Sequence, residues 1–169
     1  MRPPAPNGFA NGWEALRIRG NMTPEPARAI SSQRPAARLH TAEVETHTRV
    51  EFKDITSLVQ RVVAESGAQN GTCFLFVPHT TAAILINEND DAALPRDLDK
   101  FLSALAPRDK DYHHNDGNCD SHLKAAVIGN SKYLLVENGR LLLGRWQGVF
   151  FCEFDGPRRR ELKIKVISD

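Results

Sequence analysis

The sequence predicts one α+β domain, made largely of antiparallel strands with two main helices. Two observations lead to this class: the second half of the chain is a series of short apolar runs separated by turn residues, and only two segments repeat apolar residues at helical spacing. With 169 residues, 41% of them hydrophobic and 25% charged, the chain is long enough for one domain with a core. We expect a helix-covered sheet packed on a second sheet.

The first predicted elements are a strand and a helix. Residues 44–52, VETHTRVEF, alternate apolar and polar side chains, which is the period of one half-buried strand. Residues 54–66 place their apolar side chains on one helical stripe, with Asp54 as the N-cap and Gly67 just past the end.

Two more strands and a second helix follow. GTCFLFV at 71–77 and AAILI at 82–86 are apolar at both parities, which predicts central strands covered on both faces. Residues 95–105 share a leucine-rich stripe, Pro95 suits a first helical turn, and Pro107 ends the helix.

The last part of the chain is predicted to be strand throughout. KYLLVENGRLLLG at 132–144 holds Asn138 and Gly139, the strongest short hairpin signal, between two apolar runs. GVFFCEF at 148–154 and ELKIKVI at 161–167 flank the turn DGPR.

Residues 1–39 have a different composition. They contain six of the ten prolines, six arginines and no lysine, and we expect a poorly ordered extension, which leaves 40–169 as the domain. An Arg-rich, acid-poor start is also typical of an organelle transit peptide, although the prolines interrupt the amphipathic helix that such a peptide needs.

Charge and hydropathy exclude several classes of partner. Because the 22 basic residues are nearly balanced by 21 acidic residues, the net charge of the chain gives no global electrostatic attraction to nucleic acid or to an anionic membrane. No apolar run reaches the roughly 18–20 residues that span a bilayer. The three cysteines are odd in number and widely spaced, which indicates free thiols in a reducing compartment, and we expect a cytoplasmic protein.

Histidines mark the first candidate site. His79 lies between two apolar strand segments, and Pro78 before it indicates a strand end or bulge. The polar segment 112–122 includes His114 and His122, and imidazoles at this density could ligate Zn²⁺ or another divalent ion. Their spacing fits no compact zinc motif, so the alternative is a turn with solvated histidines.

Glu153 and a run of arginines form a second cluster. Both parities of 148–154 are apolar, so Glu153 is carried into or beside the core, where a carboxylate needs a metal ion, a histidine or an arginine as partner. Alternation extended backward from Leu162 places Arg158 and Arg160 on the core face, where they could bind a phosphate. The alternatives are a structural ion pair between Glu153 and Arg160 and an edge strand guarded by charge.

The segment GRWQGVF at 144–150 carries Trp146 and Gln147 between two glycines, which could line a pocket or form a corner of the sheet. The chain has no Gly-rich phosphate loop, so side chains or a metal ion would have to hold a phosphate.

Three blocks together identify a family resemblance. HTTAAILINEND at 79–90, YHHNDGNCDSHLKAAVIGNS at 112–131 and NGRLLLGRWQGVFFCEFDGPRRR at 138–160 resemble the signature blocks of the secondary thiamine-phosphate synthase family, the YjbQ-like proteins. The resemblance covers about residues 40–169. It implies a small α+β fold, a homotrimer and a site near the subunit interface.

The resemblance also implies roles for individual residues. A divalent metal ion, zinc or magnesium, would be held by His79, His114 and His122. The expected catalytic residues are His79, Thr80, Thr81 and Glu153. The expected substrate-binding residues are Asn87, Asn89, Trp146, Gln147, Arg158, Arg159 and Arg160.

The activity implied by the resemblance is that of a transferase. A thiamine-phosphate synthase couples a pyrimidine diphosphate to a thiazole phosphate with loss of pyrophosphate, and arginines with a divalent ion could neutralise the leaving group. The ligand would be a small phosphorylated molecule. Two alternatives stay open: a metal-dependent hydrolase in which the histidines activate water, and a non-catalytic module that binds a small anion.

Overall fold

The computed structural model describes residues 38–114 and 116–169, which form eight strands and three helices. The expected extension at 1–39 therefore lies outside the described residues except for its last two. The strands are β1 Leu39–Glu45, β2 Glu51–Asp54, β3 Gly71–Phe76, β4 Ala82–Glu88, β5 Ser131–Glu137, β6 Arg140–Leu141, β7 Gln147–Glu153 and β8 Arg159–Ser168. The helices are α1 Thr56–Ser66, α2 Leu94–Leu105 and α3 Cys119–Ile128.

Two antiparallel sheets stack on each other. The five-stranded sheet has the order β1-β8-β3-β5-β6, and the three-stranded sheet has the order β2-β7-β4. The main core lies between the sheets, with Leu75 and Ile164 from one and Ile84 and Phe151 from the other. A second cluster joins the far face of the three-stranded sheet to α2 and α3. The predicted α+β class, with a helix-covered sheet on a second sheet, is confirmed.

Local signals in the sequence fix several boundaries. Gly67 ends α1 in the left-handed conformation with φ 74°, where a residue without Cβ is favoured. The predicted N-cap at Asp54 is wrong by one residue: Ile55 is the N-cap of α1, and Asp54 precedes it with its Oδ1 accepting the backbone N–H of Thr56 at 2.8 Å. Asn138 and Gly139 both have positive φ, 52° and 73°, and join β5 to β6 as the predicted hairpin.

The single strand predicted over residues 44–52 is wrong. β1 ends at Glu45 in the five-stranded sheet, and β2 begins at Glu51 in the other sheet. The chain changes sheets here because Thr46 is buried and bonded: its backbone N–H donates to Arg158 O at 2.9 Å, and its hydroxyl donates to Glu153 at 3.2 Å.

The two predicted helices are present as α1 and α2, and a third helix, α3, was not predicted from the sequence. The residues around its start, Asn118, Asp120 and Ser121, are of types that are common in turns. In the structure Asp120 and Ser121 are buried, and Ser121 Oγ donates to Phe154 O at 2.6 Å. Tertiary contacts, rather than an apolar stripe, hold this helix in place.

The prediction that β3 is covered on both faces is also wrong for the single chain. Cys73 and Leu75 face the core, but Phe74 and Phe76 on the other face are each 44% exposed. Within the part of the chain that the structure describes, no helix packs on this outer face of the five-stranded sheet. Within the described residues, no helix is long and apolar enough to cross a membrane.

Candidate functional site

A cleft of about 670 Å³ lies where the two sheets meet α3. Its walls include His79 and Thr80 from the link between β3 and β4, and His122 and Ala126 from α3. The remaining lining is largely apolar or small. Two of the three predicted histidine ligands therefore reach the same cavity from distant parts of the sequence.

The segment VPHTT places His79 at this corner. β3 belongs to the five-stranded sheet and β4 to the three-stranded sheet, so residues 77–81 carry the chain from one sheet to the other. Val77 still donates its N–H to Asn130 O at 2.8 Å, whereas Pro78 has no N–H to continue a ladder. The sequence prediction of a strand end at His79 is confirmed.

His79 is half-buried and held by one hydrogen bond. Its Nε2 accepts the backbone N–H of Glu161 at 2.8 Å. Burial lowers the pKa of His79, and the nearby Arg160 guanidinium lowers it further. The ring is therefore held in its neutral form with the proton on Nδ1, because Nε2 acts as the acceptor.

Behind the cleft, Glu153 and Arg160 form a buried ion pair. The carboxylate accepts from Arg160 Nη2 at 2.6 Å and from Nε at 2.7 Å, a bidentate arrangement. Arg160 Nη2 also donates to Thr81 Oγ1 at 2.8 Å. The ion pair between Glu153 and Arg160 that the sequence suggested as a structural alternative is therefore present. Through the hydrogen bond to Thr81 it links β7 and β8 to the His-Thr-Thr segment at 79–81.

The other two arginines of the run lie outside the core. Arg158 was predicted to share the core face with Arg160; this is wrong, because the strand begins only at Arg159 and Arg158 folds back on Asp155, with Nη2 to Oδ2 at 2.6 Å. Burial alone would raise the pKa of Asp155, but hydrogen bonds from Asn118 and Arg158 outweigh it and lower that pKa. Arg159 is exposed on the first position of β8.

The polar segment 112–122 contributes a pair of imidazoles. The rings of His114 and His122 lie 5.0 Å apart between centroids. His114 Nδ1 accepts the backbone N–H of Asp116 at 3.4 Å, and His122 projects from the first turns of α3. The expected grouping of these two histidines is present, with His122 also facing the cleft.

Four polar side chains that fix α3 were missed in the sequence. Asp120 Oδ1 accepts from Arg49 Nη2 at 2.8 Å, and Asp120 Oδ2 lies 3.3 Å from the buried Lys124 Nζ. Lys124 Nζ also donates to Ser103 Oγ on α2 at 3.1 Å. The only sequence signal was the Asp120 and Lys124 pair at i, i+4 spacing.

The three predicted metal ligands do not form a complete ligand set in one chain. Across residues 38–114 and 116–169, no three His, Cys, Asp or Glu side chains are grouped so that they could hold a metal ion. His79 Nε2 is already an acceptor for Glu161 N–H. A metal ion bound by His114 and His122 would need a further ligand.

Several predicted substrate-binding residues lie elsewhere. Asn89, Trp146 and Gln147 line a second pocket of about 240 Å³, with Arg145 stacked 4.7 Å above the Trp146 ring. The seven residues of β4 separate this pocket from the His79 corner, a length of roughly 20 Å. Asn87 lies on β4 opposite Gly148. One chain therefore divides the predicted site into two pockets.

The fold and the cleft define a class of small two-sheet α+β proteins with a histidine-lined corner. The chain belongs to the family described as UPF0047 protein YjbQ-like, which matches residues 40–169. The UPF0047 protein MJ1081 of Methanocaldococcus jannaschii is 44% identical over 127 residues, covering 75% of this chain and 92% of that protein. The UPF0047 protein YugU of Bacillus subtilis is 42% identical over 131 residues, covering 77% and 99%.

Solved structures agree with this assignment. A YjbQ/UPF0047 family protein of Clostridium acetobutylicum has a TM-score of 0.74 at 44% identity, covering 76% of this chain and 99% of that chain. A protein of unknown function from Sulfolobus solfataricus, described as YbjQ-like, has a TM-score of 0.76 at 33% identity, covering 79% and 98%. These relatives carry no reaction in their names.

Proposed function

We propose that this YjbQ-like protein is an enzyme acting on a small phosphorylated molecule in the cleft between His79 and His122. The activity that we put forward is of the thiamine-phosphate synthase type, in which a pyrimidine diphosphate and a thiazole phosphate are coupled with loss of pyrophosphate. The observation that carries the proposal is the meeting of His79, Thr80 and His122 in one cleft of about 670 Å³. A volume of this size suits a small ligand.

His79 serves as a hydrogen-bond donor in this proposal. Its Nε2 is occupied by the Glu161 N–H, so Nδ1–H is the group left to donate to a phosphate oxygen or a leaving group. Thr80 is exposed at the cleft wall and supplies a hydroxyl beside it. His122 lines the same cleft from α3 and is the second imidazole that could hydrogen-bond the ligand.

Glu153, Arg160 and Thr81 act behind the cleft rather than on the substrate. Their mutual hydrogen bonds hold the segment that carries His79 and Thr80. Of the arginine run, Arg159 is exposed, and we assign it to the phosphate, because Arg158 and Arg160 are engaged with carboxylates. Its charge would oppose the charge that develops on pyrophosphate as it leaves.

A divalent metal ion, zinc or magnesium, is part of the proposal. His114 and His122 would provide two of its ligands, and when bound it would supply further charge neutralisation for phosphate oxygens. Elemental analysis of the purified protein beside His114→Ala and His122→Ala tests this, with His47→Ala as the control. Metal retained by both site variants would rule out these ligands.

The second pocket is assigned to the rest of the substrate. Asn89, Trp146 and Gln147 could hold a ring or an amide group, with Asn87 beside them. We further propose a homotrimer, because an assembly could bring this pocket next to the cleft of a neighbouring chain. The expected location is the cytoplasm, with import directed by residues 1–39 as the alternative.

The test is a coupling assay with the pyrimidine diphosphate and the thiazole phosphate, with and without Mg²⁺ or Zn²⁺, followed by release of pyrophosphate. We expect turnover by the native protein and its loss in His122→Ala and Thr80→Val. His47→Ala is the matched control, because His47 is exposed and does not line the cleft. Absence of product under every metal condition, or equal rates in all three variants, would refute the proposal.

A further inference from the structure

The turn that carries Trp146 is closed by two hydrogen bonds. Gln147 donates its backbone N–H to Gly144 O at 2.9 Å, and its Oε1 accepts the backbone N–H of Gly144 at 2.8 Å. Arg145 and Trp146 therefore occupy the two central positions of the turn. Trp146 O also accepts the backbone N–H of Asn89 at 2.7 Å. The turn and the residue that follows β4 are thus held together at the mouth of the second pocket.

The side chain of Asn89 is held between a carboxylate and a glycine. Its Nδ2 donates to Asp54 Oδ2 at 2.8 Å. A Cβ added at Gly148 would lie 2.8 Å from both Cβ and Nδ2 of Asn89, so only a glycine leaves room for this side chain. Because the nitrogen end of the amide is bonded to the carboxylate, Oδ1 is the end left to accept a hydrogen bond from a ligand.

The amide of Gln147 has the opposite orientation. Its Oε1 is engaged by Gly144 N–H, so Nε2 is the end left to donate. Gln147 and Asn89 line the same pocket as Trp146. The pocket therefore offers one amide donor and one amide acceptor beside an indole. Such a set is suited to a planar heteroaromatic ring, whose edge bonds to amides and whose face stacks on an aromatic side chain.

The exposure of the indole and the size of the pocket limit the ligand to a small ring. Trp146 is 51% exposed, and the Arg145 guanidinium lies 4.7 Å above its ring. A guanidinium covers only one face of an indole, so the other face is available for stacking. The pocket volume of about 240 Å³ is below the roughly 300–1,000 Å³ of pockets for drug-sized ligands.

We propose that the second pocket binds a single ring of the aminopyrimidine class. The ring stacks on Trp146, a ring nitrogen accepts a hydrogen bond from Gln147 Nε2, and the neighbouring amino group donates to Asn89 Oδ1. Binding of the ring is independent of any reaction, whereas its identification with the pyrimidine half of a substrate rests on the function proposed above.

Fluorescence titration of Trp146 tests the proposal, in a full chain with Trp13→Phe because the chain has two tryptophans. The probe is 4-aminopyrimidine, and the comparison is pyrimidin-4-one, which places a donor and an acceptor in the reverse order at the same edge. We expect saturable quenching by 4-aminopyrimidine and roughly three- to tenfold weaker binding of pyrimidin-4-one. Adenine is the two-ring comparison, and tighter binding of adenine would overturn the single-ring class.

Two variants test the individual hydrogen bonds. Gln147→Glu keeps the acceptor for Gly144 N–H but removes the donor, and Asn89→Ala removes the acceptor. Each should weaken binding of 4-aminopyrimidine roughly three- to tenfold. Gln69→Ala is the matched control, because Gln69 is also exposed and does not line this pocket; it should bind as the native chain does. Circular dichroism checks that each variant is folded.

The outcomes separate this proposal from the proposed reaction. Quenching that does not saturate, equal affinity for the two pyrimidines, or unchanged affinity in both site variants overturns the assignment of the ring to this pocket. Selective ring binding without product in the coupling assay would refute only the reaction. Turnover without selective ring binding would refute only the ring assignment.

Discussion

At the scale of single residues, the cleft shows how neighbours set the chemistry of a histidine. His79 keeps its ring neutral because burial and the Arg160 charge lower its pKa, and Glu161 N–H occupies Nε2. A ring held in this way can donate through Nδ1, but it can accept a proton on Nε2 only by breaking that bond. Arg160 lowers the pKa of His79 whereas Glu153 raises it, and the pair also holds Thr81, two residues from His79, through Arg160 Nη2.

The lowered pKa of His79 leads to a prediction about pH. We expect its ring protons to titrate below the ordinary histidine pKa of about 6.5. Because the folded state binds this proton more weakly than the unfolded chain, the neutral ring stabilises the fold above the unfolded pKa, and that contribution is lost as pH falls through the folded pKa. Proton NMR titration, with His79→Gln to assign the signal, measures the first effect. Urea unfolding at several pH values measures the second, and a ring titrating above the ordinary range would contradict both.

The buried pair leads to a prediction about stability. Glu153→Ala leaves the Arg160 guanidinium buried without its carboxylate, which should lower the free energy of unfolding by about 3–5 kcal/mol. Removing both charges in Glu153→Leu with Arg160→Met should recover much of that loss. Arg158→Ala is the control, because its pair with Asp155 is half exposed, and it should cost no more than about 1 kcal/mol. Urea unfolding measures the losses. Equal losses of unfolding free energy in Glu153→Ala and Arg158→Ala would show that the buried pair contributes no more to stability than the exposed pair.

At the scale of elements, α3 depends on the rest of the molecule for its formation. Its buried face includes Asp120, Ser121 and Lys124, so its position is set by polar contacts to Arg49, Phe154 and Ser103 rather than by an apolar stripe. Because His122 is carried by this helix, the same contacts determine where one wall of the cleft stands.

We therefore expect Asp120→Ala to loosen α3 as a unit. The variant leaves Lys124 buried without its carboxylate and removes a partner of Arg49, at a cost of about 3–5 kcal/mol. Hydrogen exchange should show faster exchange of the α3 amides than of the β7 amides. Asp97→Ala on α2 is the matched control: its carboxylate is 67% exposed, and its loss should change stability by no more than about 0.5 kcal/mol. Uniform acceleration across both elements would mean that α3 has no separate dependence on Asp120.

At the scale of the whole molecule, the described residues leave the outer face of the five-stranded sheet without cover. α2 and α3 cover the outer face of the three-stranded sheet, and the inner faces of the two sheets cover each other, whereas Phe74, Phe76 and Tyr133 on the outer face of the five-stranded sheet stay exposed within the described residues. The cleft lies at the border of that face. Phe76 lies on that face and also lines the cleft.

If copies of the chain cover this face, thermal stability should depend on protein concentration. Association stabilises the folded chain by mass action, so the melting temperature of the native protein should rise with concentration. Tyr133→Lys should melt at a lower temperature that does not change with concentration, whereas Phe101→Lys, at an exposed position on α2, should behave as the native protein does. Differential scanning calorimetry over a wide concentration range makes the comparison, and a native melting temperature independent of concentration would contradict it.

Much of the candidate site could be assembled from the sequence, although its spatial arrangement could not. The motif containing His79 and the segment containing His122 were both singled out, and both reach the cleft. The location of Trp146 and Gln147 in a second pocket was not predicted. β4 leads the chain away from the His79 corner, and the spacing of apolar residues in a sequence does not show in which direction a strand runs.

The sequence by itself determined the α+β class, the hairpin at Asn138 and Gly139, the C-terminal end of α1 at Gly67 and the strand break before His79, because local backbone preferences and apolar periods act over a few residues. Only the tertiary structure decided that residues 44–52 divide between two sheets, that 119–128 form a helix, and that Arg160 faces Glu153 while Arg158 does not. These outcomes depend on hydrogen bonds and ion pairs between residues far apart in the sequence. A buried polar group needs such a partner, but the sequence does not show which residue will provide it.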